Sequence, residues 1–298
     1  MSLALCFGGA VMDFVRGPDQ RWQARAGGSA WTVARALSAL GQPAAFAGAL
    51  GDDPFAAELV SAAAAHGVDL RYAVRVAAPT ALSVVHRSDP AHYTFYAHGA
   101  ADSLFPGVDR AAWTGARAAY FGGVTLVRDP ARAAFLDAAA EARARGLTVV
   151  YDPNYRPQHA EAYRATFAHY AALADLIKVS GEDLAGLLPD LGPEAAAAHL
   201  QALNPAATVL LTRGAAGARL LGPRGHAEHP GYRVTVADTV GAGDASIAAL
   251  LYCHLHRPDW PPAEQLAFAL ACAAAACTRL GAHAPTLADI EAVQKETP

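Results

Sequence analysis

Leu147-Thr148-Val149-Val150-Tyr151-Asp152 is a short apolar run that ends on an acid and is followed at once by Pro153-Asn154. Outward from it the same alternation recurs. Upstream, Pro130 to Arg145 has helical spacing and Ala118 to Phe121 reads as a strand. Downstream come a helix near Glu161 to Leu173, a strand from Asp175 to Val179, a helix near Glu194 to Leu203 and a strand from Thr208 to Thr212. Alternating β and α units imply parallel strands covered by helices on both faces. The predicted fold is a three-layer α/β/α sandwich around a mostly parallel central sheet.

Toward the N-terminus, Leu3 to Phe7 reads as a buried strand ending at Gly8-Gly9, Ser29 to Leu40 as a helix closed by Gly41, Ala44 to Ala49 as a strand and Pro54 to His66 as a helix. Thr80 to Arg87 and His92 to Tyr96 are extended runs separated by Ser88-Asp89-Pro90, the pattern of a hairpin. No low-complexity linker or repeat divides the chain. One domain over residues 1–298 is expected, with a small β excursion from about 10–26 and 70–96 that could act as a lid.

The 298 residues carry a net charge of −4 and 53% hydrophobic side chains, enough for a large core and without bulk attraction to nucleic acid or anionic membranes. A small-molecule substrate is the expectation. Cys6, Cys253, Cys272 and Cys277 form no Cys-x-x-Cys pair and read as buried reduced thiols, which fits the cytoplasm. The longest apolar run, Leu266 to Cys277, is too short to span a bilayer. Lys178 and Lys295 are the whole lysine supply, and neither stands in a P-loop or protein-kinase motif. Phosphate charge is therefore expected to be met by arginine, backbone N–H groups or a metal.

Ligands of open parallel sheets bind beyond the carboxyl ends of the strands. Polar clusters fall at such places: Asp13, Asp152-Pro153-Asn154, Ser180 to Asp183, Thr212-Arg213-Gly214 and Asp238-Thr239-Val240-Gly241-Ala242-Gly243-Asp244. The last opens an apolar helix, so Gly241, Ala242 and Gly243 should present backbone N–H groups to an anion while Asp244 accepts a proton from a substrate hydroxyl. That combination suits phosphoryl transfer. Gly241-Ala242-Gly243 is not a dinucleotide turn, since Ser246 replaces the third glycine and an acid lies inside it.

With these clusters in place, the chain resembles the ribokinase-like, PfkB-type carbohydrate kinases over nearly its full length. The resemblance rests on Asp238 to Ala245, on Gly27-Gly28-Ser29-Ala30-Trp31-Thr32-Val33-Ala34, on Ala47 to Phe55, on Asp152 to Pro157 and on Thr212 to Gly217. It implies phosphorylation of a primary sugar hydroxyl by ATP, under a β lid, with magnesium on the phosphates. By that resemblance Asp244 is the base and Gly241, Ala242 and Gly243 form the anion turn. Asp13, Gly27, Gly28, Thr32, Asn154 and Arg156 bind the sugar, Thr32 standing where relatives usually have Asn. Thr212, Arg213, Gly214, Gly217 and Gly281 bind the nucleotide. Asp183 orders magnesium through water, with Ser180 and Asp183 in place of the family's Asn and Glu, and Asp238 holds a monovalent cation such as K⁺. Leu270 replaces a family Asn near the adenine.

Tyr120 to Leu126 and Asp152 to Pro157 look most like fructokinases and 2-keto-3-deoxygluconate kinases. Ala97-His98 follows Phe95-Tyr96 where relatives acting on acidic sugars often carry another Arg. The missing guanidinium points to a neutral sugar such as fructose. The alternatives are 2-keto-3-deoxygluconate, another sugar or a nucleoside as acceptor, or a catalytically silent relative that binds sugar or nucleotide. Edge strands of the lid could pair two copies into a homodimer. His254 and His256, at i, i+2, face different sides of their helix and do not suggest a metal site.

Overall fold

Along β1 (Leu3–Gly8) the side chains divide between two apolar clusters, Ala4 and Cys6 on one side and Leu5 and Phe7 on the other. A strand buried on both faces needs a layer of helices on each. The computed structural model, which describes residues 3–17, 20–88 and 91–296, shows both layers.

In chain order β1 is followed by β2 (Val11–Arg16), β3 (Trp22–Gly27), α1 (Ser29–Ala39), β4 (Ala44–Ala47), β5 (Ala49–Leu50), α2 (Pro54–Ala65), β6 (Val74–Arg75), β7 (Ala81–Ser88) and β8 (Ala91–Tyr96). Then come β9 (Ala116–Gly122), α3 (Arg132–Ala144), β10 (Thr148–Asp152), α4 (Ala160–Leu173), β11 (Leu176–Ser180), α5 (Gly181–Leu187), α6 (Pro193–Leu203) and β12 (Thr208–Thr212). The chain continues through β13 (Ala218–Gly222), β14 (Gly225–His229), α7 (Ala242–His256), α8 (Pro262–Cys277) and α9 (Leu287–Glu296).

The larger sheet has eight strands in the order β14-β13-β12-β11-β10-β9-β1-β4. From β12 to β4 every pairing is parallel; β13 and β14 add an antiparallel edge that the alternation of strands and helices did not announce. One face packs on Trp31 and Leu37 of α1, Leu250 of α7 and Leu266 of α8. The other packs on Phe135 of α3, Tyr170 of α4 and Leu200 of α6. The three-layer α/β/α fold follows.

A second sheet, β3-β2-β7-β8, stands over one end of the first. Its second hairpin begins at Ala81, not near residue 70, because Val74–Arg75 pairs instead with Ala49–Leu50. In the Ser88-Asp89-Pro90 turn, Asp89 and Pro90 lie outside the described residues. Asp53 fixes where β7 starts: its carboxylate caps α2 through Ala56 N–H (2.9 Å) and also accepts from the N–H and hydroxyl of Thr80 (both 2.7 Å). Capping by such a side chain contributes about 1 kcal/mol, and here the same acid ties the start of β7 to α2. The four cysteines are free thiols, and among the described residues no helix is long and apolar enough to cross a membrane.

Candidate active site

The carboxyl ends of β1, β9, β10 and β11, the inner face of the second sheet and the turn before α7 enclose one cavity of about 480 Å³. Asp13, Gly28, Thr32, Asn154 and Arg156 line it, as do Gly241, Gly243, Asp244, Ser180 and Asp183. Four of the five clusters expected to converge are therefore together; Thr212-Arg213-Gly214 is not in the lining.

At the second sheet's end, Asp13 of β2 lies against β3 and β7, paired in register with Arg25 and Ser83. Its Oδ2 is 1.8 Å from where a Cβ at position 27 would stand, so any residue but glycine there would displace the carboxylate. Burial pushes Asp13 up to about 6, against the pull of the Ser83 hydroxyl and of Arg156. The Arg156 guanidinium stacks 4.9 Å over the Tyr93 ring and donates to the carbonyl of Tyr155 at 2.8 Å. Tyr93 itself is pushed up to about 12 by burial and stays neutral. The pocket thus offers an acid, a stacked cation and an aromatic wall to a polyhydroxylated ligand. Thr32, buried on α1, faces the turn at Gly241. His98 is exposed and outside the cavity lining.

At the opposite end Gly241 is the N-cap of α7 with φ 82°, a left-handed value that costs a residue with Cβ dearly, and an added Cβ would press on Ala282 at 2.9 Å. The first-turn N–H groups of a helix have no helical acceptors. Of the three amides expected to face an anion, that of Ala242 turns back to the carbonyl of Thr239 at 3.3 Å, and Ala242 is absent from the cavity lining. Gly241 and Gly243 remain on the cavity. Asp244, one residue on, is half-buried, opening on the cavity while protein surrounds the rest of it. Desolvation and the neighbouring Asp152 push its carboxyl up to about 7, against Ser29, Lys178 and Arg156. A carboxylate with that value suits a general base near neutral pH.

Sequence reasoning missed three residues here. Lys178 is buried on β11, with Nζ 3.2 Å from Asp152 Oδ1 and 3.9 Å from Asp183 Oδ2. That Nζ also stands 3.1 Å from where a Cβ of Gly243 would be, so the expectation that phosphate charge meets only arginine, amides or metal is corrected: a lysine borders the anion turn. Burial opposes its charge, but Asp152, Asp183 and Asp244 outweigh it and hold the ammonium above its ordinary value. Ser29, the first residue of α1, donates to Asp244 Oδ1 at 2.7 Å and lies 2.6 Å from the hydroxyl of Tyr120. Tyr93 is the third, on the cavity wall.

Asp183 has a structural task. One oxygen accepts from Ser180 N–H (2.8 Å) in a capping box and the other from Tyr155 N–H (2.8 Å), which ties α5 to the loop after β10. Asp238 is similar: its oxygens accept from Val240 N–H (3.1 Å) and Gly281 N–H (2.9 Å), joining the anion turn to the loop after α8. The remaining nucleotide candidates do not line the cavity. Thr212 ends β12 in register with Ser180, Arg213 pairs with Glu228 at 2.5 Å, and Gly214 and Gly217 flank the turn into β13. Among the described residues no group of three or more His, Cys, Asp or Glu side chains could hold a metal unaided.

Similarity to known proteins agrees with this geometry. Fructokinase-1 of Zea mays is 34% identical over 89% of this chain and 86% of its own length. The crystal structure of fructokinase with bound ATP from Xylella fastidiosa is 28% identical and superimposes with a TM-score of 0.87, covering 99% of this chain and 98% of that one. The fructokinase structure from Vibrio cholerae O395 in its fructose, ADP and calcium ion bound form is 27% identical, TM-score 0.86, over 98% of this chain and 99% of that one. Matching the pfkB family carbohydrate kinase model from residue 1 to residue 289, the chain belongs to the pfkB family of carbohydrate kinases.

Proposed function

We propose that this kinase transfers the γ-phosphoryl group of ATP to a primary hydroxyl of a neutral sugar, with fructose as its acceptor. The observation that carries the reading is the half-buried Asp244 carboxylate, which opens on a cavity beside the Gly241–Gly243 turn. A sugar held by Asp13, Asn154 and Arg156 presents its hydroxyl to Asp244. The carboxylate takes the proton as the hydroxyl oxygen attacks phosphorus, and the amides of Gly241 and Gly243 with the Lys178 ammonium face the charge on the transferring group. The relatives that carry fructose, ATP or ADP support the choice of ligands.

Magnesium keeps most of its waters and phosphate ligands and needs only one or two carboxylates. Asp183, on the cavity with its oxygens already holding two backbone donors, fits contact through water and not direct ligation. Bound there, the metal would screen phosphate charge. Asp238 is the candidate to face a monovalent cation behind the anion turn.

A coupled assay for ADP release across fructose, 2-keto-3-deoxygluconate, ribose and adenosine tests the reading. Highest kcat/KM with fructose supports it. Preference for the keto acid would make Arg156 a carboxylate fork, and saturable binding with no turnover of any sugar would show a silent relative.

A further inference from the structure

Behind Asp244 runs a line of side chains that ends at Lys178, and Ser29, Tyr120 and Asp152 along it have no place yet in the reaction. Ser29 Oγ is 2.7 Å from Asp244 Oδ1 and 2.6 Å from the Tyr120 hydroxyl, which is 3.3 Å from Asp152 Oδ2; the other oxygen of Asp152 faces Lys178 at 3.2 Å. Every group between Asp244 and Lys178 is buried, and Tyr120 and Asp152 are wholly so. The line draws on four elements, α1, β9, β10 and β11.

The protons on this line can be counted. A serine and a tyrosine hydroxyl carry one proton each, and an ionised carboxylate carries none. Three links join Asp244, Ser29, Tyr120 and Asp152, so with both acids ionised two protons must serve three links. The short links at 2.7 and 2.6 Å take them, and the 3.3 Å link to Asp152 is left as a weak contact. Tyr120 therefore donates to Ser29, and Ser29 gives its one proton to Asp244, which as a carboxylate has none to donate. Asp152 does not go wanting, because the Lys178 ammonium serves it. Oδ1 of Asp244 is thereby committed to the rear, and Oδ2 is the oxygen left for the acceptor hydroxyl.

We propose that Ser29 and Tyr120 are positioning residues for phosphoryl transfer, a two-hydroxyl chain in which Tyr120 sets the direction of the Ser29 hydroxyl and Ser29 holds Asp244 ionised and turned toward the acceptor. The inference rests on Asp244 being the base. In the step itself the acceptor O–H bond breaks and an Oδ2–H bond forms. The acceptor oxygen's electron pair makes the new P–O bond while the bond to the departing ADP oxygen breaks. Ser29 and Tyr120 keep their own protons throughout.

The test is Ser29→Ala, Tyr120→Phe and the double variant, compared with Asp244→Asn by steady-state kinetics from pH 5.5 to 9.5. Other charged or titratable groups face Asp244: Asp152 on β10, Lys178 on β11, Arg156 after β10 and Tyr93 on β8. All remain in the variants, so a moved acid limb reports the missing hydroxyl. Loss of one hydrogen bond to a charged group should raise that limb by about one to two pH units, and cut kcat at pH 7 roughly 5- to 50-fold with recovery at alkaline pH. KM for sugar and ATP should stay within about 2-fold, because neither hydroxyl is assigned to a substrate. Tyr120→Phe should show a smaller shift of the same sign, and the double variant should be no worse than Ser29→Ala, since Tyr120 acts through Ser29. Sugar binding by calorimetry confirms that each variant is folded. An unmoved acid limb in Ser29→Ala, or additive losses in the double variant, overturns the proposal. If Asp244→Asn is itself fully active, it is the base assignment that fails.

Discussion

Lys178 Nζ and Asp152 Oδ1 lie 3.2 Å apart in the interior, with Asp183 Oδ2 3.9 Å from the same ammonium. Removing one partner of a buried pair strands the other without solvent or counter-charge. Lys178→Met is therefore expected to lower unfolding free energy by about 3–5 kcal/mol in urea denaturation, and pairing it with Asp152→Asn should recover part of that loss. The single variant should also raise KM for ATP, since the ammonium borders Gly243.

Asp13 is the acid assigned to the sugar. Hydrogen bonds to a charged group are each worth about 1.5–3 kcal/mol, so Asp13→Asn should weaken fructose binding roughly 10- to 150-fold while ATP binding changes little. Isothermal titration with each ligand separately distinguishes this from general damage.

Burial raises Asp13 to about 6 and Asp244 to about 7, above the ordinary carboxylate value. The folded chain then binds more protons than the unfolded chain between about pH 4 and 7. What these groups add to stability is fully present at low pH and is lost as pH rises through 6 and 7. Asp244→Asn should consequently unfold at higher urea than the parent at pH 8, with the difference shrinking toward pH 5. An activity-lowering change that stabilises the fold is the signature of a charge held in place against solvation.

The same value fixes the sign of the rate profile. As a base Asp244 works only when ionised, so kcat/KM for the sugar should climb as pH rises through about 7 and then level off.

The central sheet was legible because its strands are apolar runs that end on polar clusters, as Val149 to Asp152 do. The β13–β14 hairpin was not, since only three of its ten strand positions are buried and Ala218 to His229 lacks a continuous apolar run. Asp244 could be read from local chemistry alone, a glycine turn opening an apolar helix. Ser29 and Tyr120 could not: they are 91 residues apart, and only the adjacency of α1 and β9 joins them. Lys178 did leave a signal. Ile177 and Val179 point into one apolar cluster, so a lysine between them in a strand buried on both faces has to find carboxylates on the other side. Asp183 was read as a metal contact, whereas a Ser-x-x-Asp spacing at a helix start also spells the capping box seen here.

The most direct measurement is the turnover of Asp244→Asn with fructose and ATP beside its calorimetric affinity for each. The account predicts a kcat lower by roughly 10²- to 10⁴-fold with both affinities nearly unchanged. An Asn variant that turns over at the parent rate would contradict it.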